Sequence, residues 1–267
     1  MIVRRKAHDE TVLGLLAIFG PLGFQELGTD LVAFYRESDD ARAAGEALNA
    51  ASVGSEIVTD LPEPDPLEAY RAASRPFPVG SRFWIDPGPA SQSPPPPGRI
   101  ALRVPASRAF GTGAHESTKL AILALEEEPL EGRLVLDVGT GSGILALAAA
   151  ALGARRAVGV DSDSQAVCVA RENLRLHPFG VRVLLAAAGP AALSGVFSPV
   201  VANLLPEELL PMRASVYARV APRGRVIVSG IPSEAEGDVL AKLRAPRWSL
   251  AGCRRENGWT CVTLERG

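Results

Sequence analysis

Residues 134–143 read Leu-Val-Leu-Asp-Val-Gly-Thr-Gly-Ser-Gly, and no other stretch narrows the fold as far. Leu134 to Val138 is short and almost wholly apolar, which suits a strand buried on both faces. Gly139, Gly141 and Gly143 then allow a sharp turn, because glycine visits positive φ at little cost. Ile144 to Leu152 is apolar all round and stops at Gly153, the pattern of a buried helix. Strand, glycine turn and helix make the first half of a βαβ unit. The alternation continues with strands at 157–160, 181–185, 200–202 and 225–229, and helices at 163–176, 207–220 and 234–244. Two late apolar runs, 248–253 and 259–264, flank the polar Arg254 to Gly258, a hairpin signal. The expected fold is α/β: a seven-stranded, mostly parallel Rossmann-like sheet closed by one antiparallel hairpin.

Proline density divides the chain. Eleven of the 22 prolines fall between Pro62 and Pro97, ending in Pro94-Pro95-Pro96-Pro97. Such a stretch cannot be one helix or a central strand. Residues 61–100 therefore read as a linker, with a helical turn at 67–73 and a strand-like 82–85. Residues 1–60 read as a small α+β domain: helix 11–19, hairpin 23–27 with 31–36, and helix 39–48. It holds no catalytic cluster and reads as a substrate-recognition appendage. Residues 101–267 form the α/β domain, which is expected to fold alone from about Gly98.

Charge excludes some partners. Lys+Arg is 28 and Asp+Glu is 30, a net charge of -2, so nothing drives the whole surface onto nucleic acid or an anionic membrane. Any RNA contact would need a local patch or a protein carried by the RNA. Cys168, Cys253 and Cys261 make neither a disulfide framework nor a zinc pattern, and His8, His115 and His177 show no ligand spacing, so no metal is expected. The apolar stretch 12–24 is broken by Gly14, Gly20, Pro21 and Gly23, unlike a signal peptide, and a cytoplasmic location is expected.

The turn also selects a ligand. Its glycines are spaced G-x-G-x-G, whereas dinucleotide sites use G-x-G-x-x-G to seat a pyrophosphate. The tighter turn suits a nucleoside without phosphates, such as S-adenosylmethionine, with Asp137 available to its ammonium. Asp161 ends the next strand, where a carboxylate accepts ribose hydroxyls. Nicotinamide enzymes also place an acid there, so an oxidoreductase remains the alternative. Asn203 follows the strand at 200–202 and offers a carbonyl to an attacking amine. Residues 186–189 lack an acid, so a backbone carbonyl or water would take the adenine amine. Residues 108–118 form a glycine-bearing loop that places His115 and Thr118 near a helix start.

Taken together, Ala109-Phe110-Gly111-Thr112-Gly113-x-His115-x-Ser117-Thr118, Asp137 to Ala146, Asp161 and Val201-Ala202-Asn203-Leu204-Leu205 resemble the PrmA family. That family methylates a large-subunit ribosomal protein, number eleven, at lysine side chains and the N-terminal amine; related enzymes share the catalytic motifs, so another protein substrate is the alternative within the class. The resemblance spans about 103–264 and continues faintly through 67–70 and 82–85. It implies a class I methyltransferase sheet and S-adenosylmethionine as cofactor. It places cofactor contacts at Thr118, Gly139, Asp161 and Asn203, joined by Gly141 of the same turn; from its own carbonyl and its place after the strand, Asn203 is also expected to be the catalytic residue. It implies that the small N-terminal domain holds the ribosomal protein, free or before assembly, without direct nucleic-acid or membrane contact. Ser117 stands where the family usually has threonine and keeps the hydroxyl.

Overall fold

The computed structural model describes residues 2–3, 10–21, 23–27, 30–35, 37–56, 74–88, 94–105 and 113–267. The expected turn at 67–73 and the Phe110-Gly111-Thr112 part of the loop lie outside the described residues. The chain divides into two compact units, Met1–Pro66 and Leu67–Gly267.

The first unit contains β1 (Ile2–Val3), α1 (Glu10–Ala17), β2 (Gly23–Leu27), β3 (Asp30–Phe34), α2 (Ser38–Ala50) and β4 (Ser55–Glu56). Its sheet runs β2-β3-β1-β4, with every pair antiparallel. Apolar residues at helical spacing in α1 and α2, such as Val12, Leu16, Ala44 and Leu48, meet Leu31 and Ala33 of β3 in its core. The two helices and the hairpin are legible in the sequence; β1 and β4 are too short to show periodicity.

The second unit begins with β5 (Phe77–Val79), β6 (Phe83–Asp86) and β7 (Ile100–Arg103), a three-stranded sheet. Residues read as linker thus carry core strands: Val79, Phe83 and Ile85 are buried in one cluster with Leu102 and with Leu120 and Leu147 of later helices. The prolines do not prevent this, because Pro78 sits in the edge strand β5, where a missing N–H costs no ladder bond. A chain cut at Gly98 would lose β5 and β6, and with them Phe83 and Ile85, leaving core partners such as Leu102, Leu120 and Leu147 uncovered, which speaks against the expectation that it folds alone. His177 ties this sheet down: its Nε2 accepts from the Arg103 N–H at 2.9 Å, and its Nδ1 lies 3.0 Å from the Asn173 carbonyl.

Next come α3 (Glu116–Glu126), β8 (Leu134–Val138), α4 (Ile144–Ala151), β9 (Arg156–Asp161), α5 (Ser164–Leu174), β10 (Val183–Ala187) and β11 (Val200–Asn203). The chain closes with α6 (Pro206–Ala218), β12 (Arg225–Pro232), α7 (Glu236–Leu243), β13 (Trp248–Glu256) and β14 (Trp259–Arg266). The seven-stranded sheet has the order β10-β9-β8-β11-β12-β14-β13. The pairs among β8 to β12 are parallel, and β14 and β13 pair antiparallel. Alternate strand residues feed two cores. Val135 and Val201 pack into one with α3 and α4, and Leu136, Val138, Val200 and Ala202 pack into the other with α6 and α7. Strand order reverses around β8, which leaves a crevice beyond the carboxyl ends of β8, β9 and β11. Among the described residues, no helix is long and apolar enough to cross a membrane.

Candidate active site

The crevice is a cavity of about 780 Å³ lined by residues that include His115, Ser117, Gly139, Gly141, Asp161, Asn203, Gly230 and Trp259. Gly139 must be glycine: its φ is +69°, and a Cβ there would sit 2.4 Å from the Leu204 side chain. Backbone can therefore approach a ligand where a side chain would stand.

Asp137 shapes that turn without entering the cavity. It is fully buried, and its Oδ2 accepts from Thr140 Oγ1 at 2.6 Å and from the Ala146 N–H at 3.1 Å. The carboxyl thus clasps both ends of the glycine turn. Burial pushes its pKa up to about 7, the Thr140 and Ala146 hydrogen bonds pull it back, and the charge of Asp161 adds to the rise. Its Oδ2 is thus committed within the fold, while its buried Oδ1 has no hydrogen-bond partner among the described residues; Asp137 is not among the cavity-lining residues.

Asp161 does face the cavity. Its Oδ2 accepts from the Gly141 N–H at 2.9 Å and its Oδ1 from the Asp163 N–H at 3.0 Å. Each oxygen keeps a second acceptor direction for a hydroxyl. Asp163 caps α5 through Gln165 N–H at 2.8 Å, so capping does not account for Asp161.

Asn203 closes β11, and its Nδ2 donates to Thr118 Oγ1 at 3.1 Å. That bond anchors the carboxamide at the end of the strand. Its Oδ1 is buried and has no hydrogen-bond partner among the described residues, although it belongs to a cavity-lining side chain. An orphaned buried acceptor is costly, which marks it as waiting for a donor. Thr118 itself is fully buried and stands behind Asn203, outside the cavity wall. Gly141, Asp161, Asn203 and Gly139 are thus brought together, and Thr118 joins them through Asn203.

Sequence alone does not reveal the outer wall. Trp259 opens β14 and lines the cavity, its ring edge-on to His115 with centroids 4.7 Å apart. His115 caps α3, its Nδ1 2.8 Å from Ser117 Oγ. Gly230 interrupts the β12–β14 register, and a Cβ on it would sit 2.6 Å from the Leu204 carbonyl and 3.1 Å from Asn203 Oδ1. The hairpin turn before Trp259 is readable, but a tryptophan in a strand run is ordinarily core. Among the described residues, no group of three or more His, Cys, Asp or Glu could hold a metal.

The model of the family described as ribosomal protein L11 methyltransferase (PrmA) matches residues 19–267. A ribosomal protein L11 methyltransferase of Geobacter metallireducens is 41% identical over 243 residues, covering 91% of this chain and 79% of that protein. One from Pelobacter propionicus is 36% identical over 252 residues, covering 88% and 81%. A solved ribosomal protein L11 methylase from Lactobacillus delbrueckii subsp. bulgaricus superposes with a TM-score of 0.66 at 28% identity, over 72% of this chain and 99% of that one.

Proposed function

The chain belongs to the ribosomal protein L11 methyltransferase (PrmA) family, and on that premise we propose that it methylates amines of ribosomal protein L11 with S-adenosylmethionine. The acceptors are lysine side chains, the N-terminal amine, or both, on the free protein in the cytoplasm before assembly. The first unit holds the ribosomal protein. The observation that carries the reading is the open Oδ1 of Asn203 at the end of β11, beside the glycine turn.

The residues suit an adenosyl sulfonium. Gly139 and Gly141 let backbone approach the nucleoside, and Asp161 has acceptor capacity left for two ribose hydroxyls. The bound cofactor supplies an electrophilic methyl carbon. Asn203 Oδ1 accepts from the incoming amine and turns the amine's lone pair toward that carbon, while Thr118 anchors the carboxamide. Aligning a neutral amine in this way is worth orders of magnitude in rate. A lysine amine ordinarily has a pKa of about 10.4 and is protonated at neutral pH. Trp259 and Leu204 make the cavity partly dry, which lowers that value and favours the nucleophile. No side chain is assigned as an obligatory base, and water carries the proton away.

The test has two parts. S-adenosylhomocysteine should raise the melting temperature and NAD should not; protection by NAD alone would restore the oxidoreductase reading. Labelled cofactor with purified ribosomal protein L11 should then yield methylated amines by mass mapping, and an unlabelled L11 would overturn the substrate assignment.

A further inference from the structure

We propose that the edge of the second unit where the parallel strands begin, opposite the cavity, binds the phosphate backbone of RNA through a row of arginines. The register builds the row. Val183 pairs with Ala157 and Leu134 pairs with Arg156, which sets Arg182, Arg155, Arg156 and Arg133 side by side at the starts of β10, β9 and β8. The Arg155 N–H donates to the Arg133 carbonyl at 2.9 Å, and Arg156 Nη1 donates to the Val181 carbonyl at 3.3 Å. Arg155, Arg156 and Arg182 line an open groove of about 530 Å³ together with Val181, which is 79% exposed. A second groove of about 200 Å³ is lined by Arg133, Arg223 and Arg225 and also by the carboxylates of Glu128 and Glu265.

Arg225 is already committed, at 3.2 Å to Glu128 and 2.9 Å to Glu265. Arg133, Arg155, Arg156, Arg182 and Arg223 are exposed, and none has an ion-pair partner among the described residues. Glu131, two residues before Arg133, reduces the surplus without cancelling it. A chain with a net charge of -2 has no reason to collect cations at one edge for solubility alone.

The geometry favours RNA over other anions. The register sets Arg182 opposite Arg156 and Arg133 opposite Arg155, so the edge presents several cations together, as a polymer of phosphates requires. Guanidinium groups take phosphate oxygens bidentately and stack on unpaired bases. Both arginine sets line concave grooves, which fit a strand better than the flat face of a bilayer. RNA held there leaves the cavity open, because Gly139, Asp161 and Asn203 lie at the opposite strand ends. The inference is independent of the methyl-transfer reading.

Anisotropy of a fluorescent single-stranded 20-nucleotide RNA tests it, with the full chain at about 50 mM salt and above. The wild type should bind, and the combined Arg133→Gln, Arg155→Gln, Arg156→Gln, Arg182→Gln variant should bind about 10-fold or more weakly. Its salt slope should fall by roughly 0.7 for each phosphate that is no longer neutralised. Protection by S-adenosylhomocysteine should be unchanged in the variant, which shows that it is folded. Arg255→Gln, an exposed arginine on β13 paired with Thr260 beside the cavity-lining Trp259, at the opposite end of the sheet, should bind as the wild type does. No RNA binding by the wild type would overturn the proposal. So would equal binding by wild type and the combined variant, equal weakening by Arg255→Gln, or binding to phosphatidylglycerol vesicles in place of RNA.

Discussion

At the scale of single residues, the proposed mechanism turns on one carboxamide and its brace. Asn203→Ala removes the acceptor for the amine and should lower kcat by ~100-fold with a smaller change in cofactor affinity. Asn203→Asp keeps an acceptor and should retain part of the rate. Thr118→Val leaves Asn203 Nδ2 without its 3.1 Å partner, so kcat should fall while cofactor affinity holds. Steady-state kinetics on L11 separate these outcomes, and a near wild-type rate for Asn203→Ala would reduce the residue to a turn former. Asp161→Ala should act on affinity instead. It removes ribose acceptors worth about 1.5–3 kcal/mol each and also releases the Gly141 N–H. Calorimetric titration with S-adenosylhomocysteine checks this. Asn203 and Asp161 are legible in sequence because each ends an apolar strand, where a polar residue has no packing reason to be. Trp259 and Gly230 are not, since their roles come from strands brought together only by the fold.

At the scale of elements, two buried groups give the second unit opposite responses to pH. Asp137 is held at a pKa of about 7, well above an unfolded aspartate near 3.9. The fold therefore favours its protonated form, and this contribution is lost as pH rises from about 4 through 7. Asp137→Asn should remove that slope, so its melting temperature relative to wild type should climb with pH across the window. Burial pushes the His177 pKa down, the Asn173 carbonyl opposes the shift and the Arg103 guanidinium adds to it. A neutral ring is what the Arg103 N–H requires as acceptor. The His177 contribution is fully present above about 6.5 and fades as pH falls below that value. His177→Gln should therefore lose less stability than wild type between pH 7 and pH 5 in thermal melts. The large sheet is legible because apolar runs and helix-length segments alternate cleanly from Leu134 onward. The β5–β7 sheet is obscured by its prolines, which signal a break by composition even where edge strands tolerate them.

At the scale of the whole molecule, the boundary that matters lies near Pro66 rather than Gly98. A chain starting at Leu67 should fold and keep its protection by S-adenosylhomocysteine, yet lose most of its activity on intact L11. Loss of the fold on removing the first unit, or full activity without it, would each contradict that division. A chain starting at Gly98 should melt far lower, since Val79, Phe83 and Ile85 leave their core partners. Pro78 has one more consequence, for how these molecules behave when crowded together. An edge strand with a free row of N–H groups invites a strand from a neighbouring chain. In β5 one donor of that row is missing and the strand is only three residues long. Another chain that tried to extend the small sheet would find no ladder to continue, so at high concentration this edge should not seed aggregation.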